Sequence, residues 1–276
     1  MNRKMAKALV TAFLLATLTS QVEAQGTTAF KKGNFYFSWG YNKEWYTNST
    51  IKVNQPSLGN HFAFVNVMAS DKPGWDKGIF NQAISIPQYN YRVGYFFKDD
   101  WAFEINFDHT KYQVNENQLI HVKGTMDHKP VDTFMINGPN VLKYQLNNGA
   151  NFFLFNLVHR KKIGAVAKNI DASVLLKGGV GFMVPHVQNT MFGKDNDAGF
   201  QFGGLDLGVE GTVRLTFFNH VYLEYCNKLV LTDYWGLSAY EGKAKQVFGT
   251  YEMILNLGGT LNLSKNHTEK KAVVLN

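Results

Sequence analysis

The stretch "NYRVGYFFKDDWAFEINFDHTKY", Asn90 to Tyr112, decides the fold. On both sides of Lys98-Asp99-Asp100 the side chains alternate between bulky apolar and polar. Tyr89, Tyr91, Val93, Tyr95 and Phe97 share one face before the triplet, and Trp101, Phe103, Ile105 and Phe107 share one face after it. The opposite faces carry Asn90, Arg92, Glu104, Asn106 and Asp108. Alternation at period two around a short polar break predicts a β-hairpin with two unlike faces. Pairing in register sets Arg92 opposite Asn106, with Glu104 and Asp108 on the diagonals at about 7–8 Å.

The pattern recurs in "GNFYFSWGYNKEWY" from Gly33, "NFFLFNLVHR" from Asn151, "ASVLLKGGVGFMV" from Ala172 and "LDLGVEGTVRLTF" from Leu205. It continues in "VYLEYCNKLVLTDY" from Val221 and "VFGTYEMILNLGGTLNL" from Val247. With the hairpin, this predicts about eight long strands. The connections "KDD", "RKKIGAVAKN" and "FNH" are short, and those over 47–84, 115–149, 185–198 and 236–245 are long. Short and long alternate, as in transmembrane barrels with short periplasmic turns and long extracellular loops. "HFAFVNVMAS", residues 61–70, reads as a β excursion inside the first long connection rather than as a ninth crossing strand.

An apolar face can meet lipid only if every backbone N–H and C=O is paired, which a closed sheet achieves and an open one does not. The expected fold is therefore all-β: an up-and-down antiparallel transmembrane barrel, aromatic side outward and polar side inward. Arg92, Glu104, Asp108, Asp206, Glu210, Arg214, Glu224 and Lys228 form the candidate lumen polar cluster, with Glu44, Lys177 and Glu252 on the same inner faces. Both signs are present, so an enclosed ion-pair network is expected; unpaired, such groups would cost several kcal/mol each. A secreted sandwich or lipocalin-like barrel would reverse the faces. It would need a Lys- and Glu-rich surface, whereas these polar faces are mostly Gly, Ser, Thr and Asn. Frequent inward glycines suggest a narrow barrel with tightly bent strands.

Composition agrees. The 276 residues are 14% aromatic and only 18% charged, against about 25% charged in soluble domains. "MNRKMAK", an apolar run "ALVTAFLLATL" and small residues up to Ala24 read as a signal peptide over 1–24. The barrel is assigned to 25–263 and a basic tail to 264–276. Removing 1–24 lowers the net charge from +7 to about +5, which gives little reason to expect nucleic acid. The single cysteine, Cys226, excludes an internal disulfide.

The hairpin, extended to "PQYNYRVGYFFKDDWAFEINFDHTKY", resembles one found in small, about eight-stranded Gram-negative outer-membrane barrels of the Bacteroidota type. That resemblance implies an outer-membrane location. The implied partners are outer-membrane lipid, lipopolysaccharide and the barrel assembly machinery. The C-terminus departs from the usual aromatic ending, continuing past Leu263 with "SKNHTEKKAVVLN".

No motif specifies an activity. Asp108-His109-Thr110 invites a catalytic reading, since lipid A deacylases and palmitoyltransferases of similar size use His and Ser near the outer leaflet. His109 is the candidate base, but no His-x-Ser occurs, and a nucleophile needs a base within about 2.6–3.2 Å. His121, His128, Asp127 and Asp132 have no spacing of a known metal site. The Gly-rich "LKGGVG" and "GGLDLGVEG" lie on strands without a following helix, so no phosphate cofactor is expected. Eight strands leave an interior just wide enough for side chains. The first expectation is a non-enzymatic structural or surface-binding barrel with a plugged, polar lumen, binding an extracellular ligand through "DKPGWDKGIF" and "MDHKPVDTFMINGPN". The alternatives are a lipid A acyl hydrolase or acyltransferase, and a narrow, porin-like small-solute channel.

Overall fold

The computed structural model describes residues 28–72, 88–146 and 149–261. The signal-peptide and tail assignments, and most of "DKPGWDKGIF", lie outside the described residues. Among the described residues a short 3-10 turn, Thr28–Phe30, precedes seventeen strands. They are β1 (Phe35–Tyr46), β2 (Ser49–Gln55), β3 (Asn60–Val67), β4 (Ala69–Asp71), β5 (Tyr89–Lys98), β6 (Trp101–Asp108), β7 (Tyr112–Val114), β8 (Leu119–Met126) and β9 (Lys129–Ile136). After them come β10 (Leu142–Leu146), β11 (Phe152–Ala167), β12 (Ile170–Met183), β13 (His186–Met191), β14 (Lys194–Phe200), β15 (Gly204–Phe217), β16 (Val221–Ala239) and β17 (Gly242–Leu261).

A ring is formed by β1, β5, β6, β11, β12, β15, β16 and β17, each antiparallel to the next. Pairing of β1 with β17 closes it, from Phe35 opposite Leu261 to Tyr46 opposite Thr250. Neighbours in the ring follow chain order, so the barrel is up-and-down. Its outward face carries Phe37, Phe103, Ile105, Phe155, Val180, Leu207, Leu229 and Leu257, all exposed. The inward face carries the buried polar residues. This arrangement reverses a soluble sandwich and fits hydrocarbon outside.

Two of the expected connections are strand. The "RKKIGAVAKN" segment continues β11 and β12 to a turn at Lys168-Asn169, with bulges between Lys162 and Gly164 and between Ala165 and Ala167. Residues 236–245 likewise belong to the long β16–β17 hairpin, which turns at Tyr240-Glu241. Both hairpins keep their backbone pairing where the apolar alternation fades, so hydropathy ended them too early.

The segments between ring strands at the other end build a cap. The strands β2, β3, β8 and β9 extend the sheet outward from β17, whereas β14, β13, β10, β7 and β4 make a second sheet. Residues 61–70 lie in β3 and β4, outside the ring. Ile51, Phe64 and Val122 from the first sheet join Leu142, Tyr144 and Val187 from the second in one apolar core. It continues onto Phe152, Leu154 and Met183 at the cap end of the lumen.

Polarity therefore inverts along single strands. On β17, Ala244 and Phe248 point into the cap core while Lys243 and Lys245 are exposed. Further along, Thr250, Glu252 and Asn256 point into the barrel while Leu255, Leu257 and Leu261 are exposed. The outward apolar run from Tyr251 to Leu261 spans about 25 Å at a usual rise and tilt, the height of an apolar band.

Two of the inward glycines make room for aromatic rings. A Cβ on Gly94 would lie 2.0 Å from Tyr36 Cζ, and one on Gly258 would lie 2.2 Å from Tyr222 Cζ. The two tyrosines fill the lumen across their neighbouring strands. Gly94→Ala is expected to destabilise the barrel by about 1–3 kcal/mol through overpacking. Gly178→Ala, whose Cβ meets nothing nearer than 3.9 Å, is expected to change stability by less than about 0.5 kcal/mol. Urea unfolding of the refolded barrel measures both; equal effects would contradict the packing.

Candidate functional site

Strand register builds the lumen. Lys177 of β12 stands opposite Glu210 of β15, which stands opposite Lys228 of β16, which stands opposite Glu252 of β17. Because directly opposed residues on one face are close, this row alternates sign across four strands. Lys177 Nζ lies 3.0 Å from Glu210 Oε1 and 3.1 Å from Glu104 Oε2. Lys228 pairs with Asp108 and sits 3.6 Å from Glu252 Oε1. Arg92 Nη1 donates to Asp108 Oδ1 at 2.6 Å, and Nη2 is 3.6 Å from Glu210 Oε2. Asp108 thus joins a cation of the neighbouring strand β5 to one from across the barrel on β16, all with buried side chains.

A second group lies toward the short turns. Arg214 Nε donates to Glu224 Oε1 at 2.6 Å, and its guanidinium is 3.9 Å from the Tyr222 ring centre and 4.9 Å from that of Tyr36. Tyr36 donates its hydroxyl to Glu104 Oε2 at 2.7 Å, linking the groups. The Phe30 ring closes this end. Arg160 stacks on it at 3.9 Å and Arg214 lies 5.3 Å from its centre. Arg160 is anchored by Asp100 at 2.7 Å and donates to Ser173 Oγ at 3.0 Å. Such stacked cations gain from the ring quadrupole when desolvated.

Seven residues of the candidate cluster meet in this network: Arg92, Glu104, Asp108, Glu210, Arg214, Glu224 and Lys228. Asp206 does not. It is buried opposite Gly181 and Thr232, and its carboxylate has no hydrogen-bond partner among the described residues. Sequence reasoning missed Phe30 and the tyrosine platforms. Phe30 lies before the alternating pattern, and Tyr36 is an aromatic residue on a polar face. The available signal was parity, since Tyr36 and Tyr222 each break the alternation of their strand.

His109 lies outside this network. Its Nδ1 is 2.9 Å from Asn151 Oδ1, and Asn151 Nδ2 in turn donates to Val184 O at 2.9 Å. The His109 ring stacks on Tyr89 at 4.8 Å. An amide is neither nucleophile nor acid, so this arrangement ties the end of β6 to the segment entering β11. In the cap, His121 Nε2 is 2.5 Å from Asp132 Oδ1, and that hydrogen bond holds the Asp132 carboxyl below its ordinary pKa. Asp127 and His128 lie at the β8–β9 turn, where Asp127 N donates to Asn60 Oδ1 at 2.8 Å. Among the described residues no group of three or more His, Cys, Asp and Glu is placed to hold a metal.

No protein-family model and no curated protein matches the chain. Solved structures similar to it include Ail, the attachment invasion locus protein of Yersinia pestis, at 12% identity and a TM-score of 0.32, covering 83% of this chain and 99% of that one. The outer membrane protein OprG from Pseudomonas aeruginosa gives 13% identity and 0.41, covering 86% and 99%. The outer membrane protein AlkL gives 11% and 0.42, covering 90% and 98%. Likeness at these values carries no argument about activity. The apolar-outside closed ring is itself the outer-membrane type of barrel.

Removing one partner of a buried ion pair leaves the other charge uncompensated. Asp108→Asn is therefore expected to cost about 3–5 kcal/mol in urea unfolding. Lys31→Ala breaks the half-exposed Lys31–Asp99 pair at the barrel mouth and is expected to cost about 1 kcal/mol or less. Similar small losses for both would contradict the network.

Proposed function

We propose that this chain is a non-enzymatic outer-membrane barrel whose lumen is sealed and whose folded β cap faces the cell exterior as a binding surface. The observation that carries the reading is the occupation of the interior at three levels. The Phe30 ring and its arginines occupy one end, the ion-pair network the middle, and the apolar cap core the other. A path for ions would have to break buried pairs. The cap is built like a soluble domain, apolar inside and polar outside, which suits water beyond the membrane. "MDHKPVDTFMINGPN" covers the β8–β9 turn and β9, which ends its sheet. Leu119, Phe134 and Ile136 are exposed on that hairpin. Apolar side chains at the rim of a rigid scaffold suit ligand contact.

The lipid A-modifying alternative needs a nucleophile at His109, and the side chain that its Nδ1 meets is the Asn151 amide. The channel alternative needs a path through these buried charged pairs.

Planar-bilayer recording of the refolded protein tests the sealed lumen. No steady single-channel current is expected, and a stable ohmic current would contradict the reading. Lipid A mass profiles of cells expressing the wild type, His109→Ala or no barrel are expected to coincide. Loss or gain of an acyl chain with the wild type, abolished by His109→Ala, would establish the enzyme instead.

A further inference from the structure

The outward face of β17 changes character within two residues. Lys243 and Lys245 are exposed, and from Val247 the outward positions are mainly apolar down to Leu261. Lys245 stands directly opposite Lys52 of β2, also exposed, and Lys243 stands opposite Asn54. Like charges directly opposed across a sheet repel. Among the described residues one carboxylate forms an ion pair with this trio, Asp233, 3.8 Å from Lys245 Nζ. Lys43, on the same side of neighbouring β1, carries its ammonium 5.6 Å from the Trp45 ring centre. That is the snorkelling posture of a lysine at a membrane surface.

Beneath the lysines the wall is dented. Gly249 follows Lys245 by two outward positions, about 13 Å along the strand. Around it Trp45, Leu207, Leu229, Leu231 and Tyr251 enclose a groove of about 470 Å³. Tyr251 is held as one wall by its hydroxyl, which donates to Asn227 Oδ1 at 2.5 Å. An under-neutralised cationic cluster thus sits directly above an apolar groove, at the level where polarity inverts.

We propose that this face binds a phosphorylated, acylated lipid of the outer leaflet, its phosphate against Lys52, Lys243 and Lys245 and one acyl chain in the groove at Gly249. Lysine ammoniums serve as point charges for phosphate. The acyl groove selects a lipid over a soluble anion. The inference rests on the membrane-spanning reading above and adds a site and a ligand class to it.

The test uses the full mature chain refolded in dodecylmaltoside micelles, with folding read on the same samples by heat-dependent gel mobility. Native mass spectrometry follows binding of diphosphorylated hexa-acyl lipid A and of its dephosphorylated form. The phosphorylated form is expected to bind at least about tenfold more tightly, a difference of about 1.4 kcal/mol. Lys52→Ala/Lys245→Ala and, separately, Gly249→Leu are each expected to weaken it about tenfold with the mobility shift intact. Lys194→Ala, remote on β14, is expected to bind as the wild type. Equal binding of both lipids, or wild-type binding by both site variants, would overturn the site while leaving the barrel standing. Inorganic pyrophosphate competing as well as lipid A would reassign the lysines to soluble anions and overturn the lipid. A chain with no heat-modifiable fold would overturn the barrel, and the site with it.

Discussion

The hydrogen-bonded seam between β1 and β17 is the constraint on which the rest depends. In hydrocarbon an unpaired backbone N–H or C=O has no substitute partner, so a sheet in lipid must close. Closure with period-two side chains forces half of them inward. In a ring this narrow the inward half must fit the enclosed space and pair most of its charges, Asp206 being the exception. Lys177, Glu210, Lys228 and Glu252 do so by alternating in sign along one register row. Tyr36 and Tyr222 do so by lying over glycines that yield their side-chain volume. The ion-pair network is therefore a consequence of closure as much as a source of rigidity. A buried pair gains little over an apolar one, but losing one partner is costly.

The same strands serve two solvents. On β17 the inward side passes from apolar at Phe248 to polar at Thr250 and Glu252, while the outward side passes from Lys245 to the apolar run ending at Leu261. The inversion marks where water gives way to lipid. Above it, two sheets enclose an ordinary apolar core, and their polar sides face out. Below it, the polar residues are enclosed. The long β16–β17 hairpin carries both regimes without a break and ties the cap to the barrel.

Much of the barrel was legible because lipid imposes strict alternation. Leu205, Leu207, Val209, Val213 and Leu215 against Asp206, Glu210 and Arg214 left one choice of faces on β15. The hairpin register placing Arg92 opposite Asn106 was readable from the short "KDD" break, and it appears in the structure. Of the cap, only the β excursion at 61–70 was legible. Its strands, such as β3 with Phe62, Phe64 and Val67 inward, are short and separated by turns, and nothing local says which of two sheets each joins. The extensions of β11, β12, β16 and β17 were missed because alternation weakens beyond the membrane while backbone pairing persists. Within the site, charged residues announced themselves. Phe30 did not, because its role comes from the chain folding back against Arg160 and Arg214, not from any local period.

The central claim is orientation: odd-numbered positions of β15 face lipid and even-numbered ones face the enclosed interior. Spin labels placed one at a time from 205 to 217 in phospholipid vesicles report it through relaxation by dissolved oxygen. The account predicts oxygen accessibility with a period of two and maxima at the odd-numbered positions. Maxima at the even positions, or no periodicity, would contradict it.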